Sequence, residues 1–178
     1  ATEIEGHPDN TTPALLGGIV TAAYDQKQVY WTKQEIYRHL DFFAIVPDFE
    51  LSTTMARKVL PDTVSHMDAR YNLSRAALFS ASLLQGKYEN IRVAVNDKLH
   101  QPYRMSLIQY AHEIFDKTYQ LGAYGTYISG AGPTIMSIVN TENRAFETDI
   151  KDYLNELGLT HWNIYRLAID NLGTRVVS

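Results

Sequence analysis

The chain has 178 residues, 45% hydrophobic and 20% charged, which is enough apolar content to bury a sizeable core in one domain or a domain and a part. A formal net charge of −4, with no Lys/Arg run interleaved with aromatics, excludes a non-specific nucleic-acid binder. Cysteine is absent, which removes disulfides, thiolate chemistry and Cys-ligated zinc together and fits a reducing compartment. No apolar run approaches the roughly 18 residues of a membrane span, and the N-terminus lacks the basic and apolar blocks of a signal peptide. The expectation is a cytoplasmic protein with neither nucleic acid nor membrane as partner.

The first stretch, Glu5-Gly6-His7-Pro8-Asp9-Asn10 through Thr11-Thr12-Pro13-Ala14 to Leu15-Leu16-Gly17-Gly18, packs donors and acceptors closely and is stiffened by two prolines. It reads either as a polar turn that binds something small or as a solvated loop in which Asp9 or Asn10 caps a helix. Small and apolar residues from Leu15 to Ala23, answered by Val29 to Thr32, predict a hairpin. A weak boundary falls near Tyr37 to Asp41. Phe42 to Val46 is a continuous apolar run stopped by Pro47, as in a strand buried on both faces. Ser52 or Thr53 is placed to cap a short helix through Leu60. A longer helix runs on to Leu84 with Met67, Tyr71, Leu78 and Ala81 at helical steps, closed by Gly86. Another covers Tyr88 to Val95, and Pro102 breaks the helical run just before Arg104. Leu107, Ile108, Ala111, Ile114, Phe115 and Thr118 predict one apolar helix face ending near Gly122. Thr126 to Ser129 and Thr134 to Val139 read as strands around a Gly-rich turn. A helix follows from Arg144 to Leu157, with Phe146, Ile150, Tyr153, Leu154 and Leu157 on one side, and a last strand from Asn163 to Ile169. Strands and helices mix without strict alternation, so the predicted class is α+β, with helices on one face of a mostly antiparallel sheet.

None of the six histidines forms an HxH or HxxxH pair, so a His-based metal site has little support, and most read as surface or core-edge residues. Glu3 and Glu5 are hard-cation ligand types, although two Glu near a terminus are usually solvated. Arg57 and Arg104 each follow a break in regular structure. A pair of guanidinium groups at element ends can fix a small anion, while a surface salt bridge is the commoner fate. The turn Ser129-Gly130-Ala131-Gly132-Pro133 lets a ligand approach the backbone, and a plain bulged hairpin would use the same residues.

Taken together, the Glu5 to Asn10 stretch with Pro13-Ala14 and Gly17-Gly18, Val46-Pro47-Asp48-Phe49-Glu50-Leu51-Ser52-Thr53 with Ala56-Arg57 and Val59-Leu60-Pro61, Gln101-Pro102-Tyr103-Arg104, and Ser129 to Pro133 resemble the homoserine kinase family of the GHMP kinases. The resemblance runs along the whole chain in the family's order. It implies two α+β lobes, an N-terminal one resembling a ribosomal-protein domain and a C-terminal ferredoxin-like one. Residues 1–40 would be the remaining part of the first and 41–178 the second. It implies transfer of the ATP γ-phosphoryl group to the side-chain hydroxyl of L-homoserine, on the way to threonine, with Mg2+ accompanying ATP. It places His7, Asn10 and Thr53 at the homoserine pocket, Arg57 and Arg104 on the substrate carboxylate, Gly130 approaching the substrate by its backbone, and Glu3 on magnesium with Glu5 as rival. No Asp or Lys falls at a family-matched position for a general base, so no catalytic residue is assigned. Positioning and charge neutralisation would carry a loose phosphoryl-transfer transition state.

The family's Pro-x-x-x-Gly-Leu-Gly-Ser-Ser-Ala loop, which cradles ATP phosphates at a helix N-terminus, is not among these residues. The chain therefore reads as the C-terminal part of the enzyme, expected to be inactive alone. Its expected partners are L-homoserine and ATP, with a homodimer open as an assembly. Two other readings stay open: another GHMP small-molecule kinase, and a non-catalytic ferredoxin-like association domain.

Overall fold

Pro8 settles the form of the first polar stretch. In the computed structural model, which describes residues 2–35 and 39–176, a short helix α1 (Thr2–Glu5) precedes α2 (Pro8–Leu16), which carries Pro8 in its first turn. Proline suits that position because its missing N–H would have no partner within the helix and its φ is already helical. The stretch is thus mostly helix, not a turn. Its N-cap is His7, whose side chain makes no capping bond, in place of the expected Asp9 or Asn10.

Leu15 and Leu16 belong to α2, so the hairpin starts later than expected, pairing β1 (Ile19–Asp25) with β2 (Gln28–Gln34) antiparallel from Ile19↔Gln34 to Asp25↔Gln28. Gln26 and Lys27 between them both have positive φ (46° and 66°), the pairing a two-residue turn needs to match strand twist. The C-terminal segment belongs to the same unit. Gly18 N donates to Asp170 O at 2.8 Å and Thr174 Oγ1 to Ala14 O at 2.8 Å. A Cβ on Gly17 would lie 2.5 Å from Asp170 O, so only glycine permits this approach. The two compact units are Ala1–Arg38 with Ala168–Ser178, and His39–Leu167. They differ from the expected division after residue 40, because the tail returns to the first unit. The boundary read near Tyr37 falls partly on residues 36–38, outside the described residues.

The second unit is built on β3 (Leu40–Val46), from which Phe43 and Ile45 enter the core. Along the chain follow α3 (Thr53–Lys58), α4 (His66–Gln85), α5 (Ile91–Ala94), α6 (Gln101–Arg104), α7 (Ala111–Gln120), β4 (Gly125–Ile128), β5 (Ile135–Asn140), α8 (Phe146–Glu156) and β6 (Asn163–Leu167). The sheet order is β4-β5-β3-β6, antiparallel at every join. Strand β5 lies between β3 and β4, and β6 takes the other side of β3. This is the split βαβ arrangement of a ferredoxin-like domain.

The spacing of Phe146, Ile150 and Leu154 places all three on one face of α8, and all are fully buried, with the Phe146 ring centroid 4.9 Å from that of Phe43. Helix α7 contributes Ala111, Ile114 and Thr118 but starts later than the apolar spacing predicts. Tyr110 takes a left-handed φ of 54°, so Leu107 stays in a 3-10 turn (Met105–Leu107) and Ile108 in an extended link. Thr118, Thr126 and Ser137 are buried polar residues that satisfy one another through hydroxyl contacts of 2.7 and 3.1 Å. The expected inward face of α4 is displaced. Met67 is 67% exposed and Ala81 faces solvent, while Ser82 and Leu83 are buried and Asn72 and Arg75 line a cavity. The helix expected over Tyr88 to Val95 is a 3-10 turn (Tyr88–Asn90) followed by α5. Gly125 admits α5 against β4, since a Cβ there would meet Ile91 Cγ2 at 2.6 Å.

Candidate functional site

Ser52 ends the polar run after β3 and caps α3, its Oγ accepting from Met55 N at 3.1 Å. The cap fixes the phase of this six-residue helix: Ala56 is fully buried, and Arg57, one residue on, is exposed in the last turn. The Arg57 side chain makes no hydrogen bond or ion pair among the described residues, while its carbonyl accepts from Leu60 N at 3.1 Å. Thr53 opens the helix and is exposed. Beside it, an open groove of about 680 Å³ is lined by Asp48, Glu50, Ser52, Met55, Pro133 and Thr134.

Arg104 reaches the same place from α6. Pro102 does not break this helix, as expected, but occupies its first turn. The guanidinium donates from Nε to Ala56 O at 3.2 Å and from Nη1 to Gly130 O at 2.8 Å, and Nη1 stands 3.3 Å from His100 Nδ1. Gly130, at φ +55°, sits in the turn between β4 and β5. Its backbone, expected to approach a substrate, here approaches Arg104. Because a guanidinium carries five N–H groups, these contacts engage the one on Nε and both on Nη1, and leave the pair on Nη2.

A guanidinium cannot accept, so His100 Nδ1 is the acceptor and the proton of this imidazole lies on Nε2. That nitrogen is 3.7 Å from Asp97 Oδ1. Only 6% of the Asp97 side chain is exposed, and it accepts from His100 N at 2.7 Å, Gln101 N at 2.6 Å and Asn72 Nδ2. Burial alone would raise the Asp97 carboxyl, but these donors and the His100 ring hold it below the ordinary Asp value of 3.8. Burial lowers His100 against the raising effect of Asp97, and the Arg104 charge lowers it further. Arg104 is lowered by burial, raised by Asp97 and lowered by Arg57. The bond from Arg104 Nε to Ala56 O, the carbonyl just before Arg57, brings the Arg104 guanidinium to the last turn of α3.

In the first unit, His7 and Asn10 lie three residues apart at the start of α2, both exposed. Glu3 and Glu5 are exposed on α1. Among the described residues no group of three or more His, Asp or Glu is arranged to hold a metal ion.

Residues 79–158 match the family described as GHMP kinases C terminal. Across 99% of its length the chain is 48% identical to a homoserine kinase of Clostridium beijerinckii, and across 100% it is 40% identical to a homoserine kinase of Caldicellulosiruptor bescii. The chain is thus similar to homoserine kinases along its length and to the C-terminal part of the GHMP kinases over residues 79–158. It spans 59% and 58% of the length of those two relatives. The crystal structure of a homoserine kinase from Cytophaga hutchinsonii shares the fold, with a TM-score of 0.86 at 24% identity over 96% of this chain and 54% of that one. A mevalonate kinase from L. major shares it more distantly, with a TM-score of 0.54 at 13% identity over 87% of this chain and 50% of that one.

Of the residues singled out in the sequence, the fold of the second unit gathers Arg57, Arg104 and Gly130, with Thr53 at the far end of α3. Asn72, Asp97 and His100 escaped sequence reading. A signal was present in the spacing of Asp97 to His100 and Gln101, which lets one carboxylate meet the free N–H groups at the start of α6.

Proposed function

We propose that the chain is part of a cytoplasmic kinase that transfers the γ-phosphoryl group of ATP to the hydroxyl of L-homoserine, on the way to threonine. The observation that carries this reading is the hold of Arg104 Nε on Ala56 O, the residue before Arg57, with no carboxylate in ion-pair contact with either arginine among the described residues. Two neighbouring cations repel, and a carboxylate between them removes that cost while gaining charge-assisted hydrogen bonds. The surface salt bridge, the commoner fate of such residues, is formed by neither. Mevalonate also carries a carboxylate, so the arginines alone admit either acceptor. The 48% identity to a homoserine kinase favours the amino acid.

In this reading Arg57 and the Nη2 end of Arg104 clamp the carboxylate. Thr53 lines the remainder of the pocket, and His7 and Asn10 of the first unit are further homoserine-binding residues that the family resemblance implies, with the hydroxyl to be kept in line for transfer. Glu3, with Glu5 as rival, supplies a carboxylate to a magnesium ion that arrives with ATP. When bound, that ion would neutralise phosphate charge. Exposed Leu73 and Leu84 on α4 (72% and 70%) support association into a homodimer. Among the described residues no helix is long and apolar enough to cross a membrane. The test is homoserine-dependent ADP release by the full-length protein, with mevalonate and galactose as controls. Activity on homoserine alone is the expected result, and preference for either control overturns the reading.

A further inference from the structure

We infer that His100 and Asp97 are positioning residues for the substrate carboxylate: Asp97 seats the His100 ring, and His100 Nδ1 holds Nη1 of Arg104. The inference rests on the reading of Arg104 as a carboxylate ligand and adds the means by which that side chain is held ready.

The geometry runs outward from α4. Asn72 donates through Nδ2 to Asp97 and accepts from Lys98 N at 2.9 Å, which pins the loop ahead of α6 to a twenty-residue helix. Asp97 then takes the N–H groups of His100 and Gln101, where a helix start has no partners of its own. The His100 carbonyl accepts from Arg104 N at 3.1 Å, so one residue begins the turn by its backbone and touches the Arg104 guanidinium by its ring. Helix α6 is only four residues long and could not fix a long side chain by packing alone. Arg104 instead meets two carbonyls and one imidazole. Only the imidazole can be switched off, because it is an acceptor only while neutral. The groups around His100 are Asp97 in its own loop, Arg104 on α6 with Arg57 of α3 beyond it, and Arg75 of α4 and Tyr127 of β4 across a cavity of about 290 Å³. Protonating His100 would turn Nδ1 into a donor facing a donor and release Nη1.

The expected effect in the full-length enzyme is a KM for homoserine about tenfold higher in His100→Ala and severalfold higher in Asp97→Asn, with the KM for ATP unchanged. His100→Asn, which keeps an acceptor near the Nδ1 position, should recover most of the loss. The wild-type KM for homoserine should also rise as pH falls through the His100 value, which burial holds below the ordinary 6.5, and this rise should be absent in His100→Asn. If Arg104→Ala raises the KM for homoserine while a folded His100→Ala does not, the inference fails and the reading of Arg104 stands. If Arg104→Ala leaves that KM unchanged, both fail. Should the variants not fold, the 15N-labelled guanidinium signals of wild type decide. Slow rotation of the Arg104 Nη1 group at pH 7 that is lost on acidification is expected, and free rotation at pH 7 overturns the inference.

Discussion

His7 and Asn10 stand at the exposed start of α2 with their side chains making no hydrogen bond among the described residues, whereas the N–H groups on Nε and Nη1 of Arg104 are engaged before any ligand arrives. Both regions carry residues assigned to the same substrate, yet they are prepared differently. A side chain already held by backbone carbonyls loses little freedom when it binds, while a free one must be ordered at that moment. The contrast ranks the residues by expected contribution, and Arg57, exposed and unbonded beside Arg104, falls between the extremes.

The largest effect should come from Arg104→Ala in the full-length enzyme, a loss of about a hundredfold in kcat/KM for homoserine with little change in the KM for ATP. Steady-state kinetics against both substrates measures it. Arg57→Ala should cost about tenfold in the same assay, because part of the contact energy is used to order the side chain. If the two losses are equal, holding Arg104 in advance confers no advantage and the comparison breaks.

Asp97→Asn should cost about 1–3 kcal/mol of stability, read from chemical denaturation, because an amide cannot accept from every donor that surrounds this buried carboxylate. The acid dependence has a definite sign. The folded Asp97 carboxyl lies below its unfolded value of 3.8, so its contribution is present above that value and is lost as pH falls through the lower folded one. A melting temperature in Asp97→Asn that falls as steeply with acid as in wild type would count against this assignment. Smallest of all should be His7→Ala and Asn10→Ala, each about threefold in kcat/KM for homoserine. A loss at either that matches Arg104→Ala would reverse the ranking.

Much of the secondary structure was legible because it rests on local demands. The spacing of Phe146, Ile150 and Leu154 specified the buried face of α8, Gly86 the end of α4, and Ser52 the start of α3. The apolar run from Phe42 to Val46 marked the central strand, and the four motif stretches that resemble the homoserine kinases identified the GHMP relationship. These signals sit within a few residues of the feature they specify.

Tertiary structure decided the rest, for reasons no local pattern contains. Periodicity along α4 favoured Met67 and Ala81, yet the helix turned Asn72 inward, where Asp97 and Lys98 N are its partners. Tyr110 interrupted the apolar spacing from Leu107 onward, and the tail after β6 joined the first unit because Gly17 lets backbones touch. The site itself depended most on the fold. Arg104 could be singled out from its place after Pro102, but its partners are carbonyls 48 residues before it and 26 residues after it. A guanidinium displays the same five donors in any sequence. Which acceptors reach them is fixed only when β3, β4 and β5 come together in one sheet and bring the second half of α3 and the Gly130 turn to the end of α6.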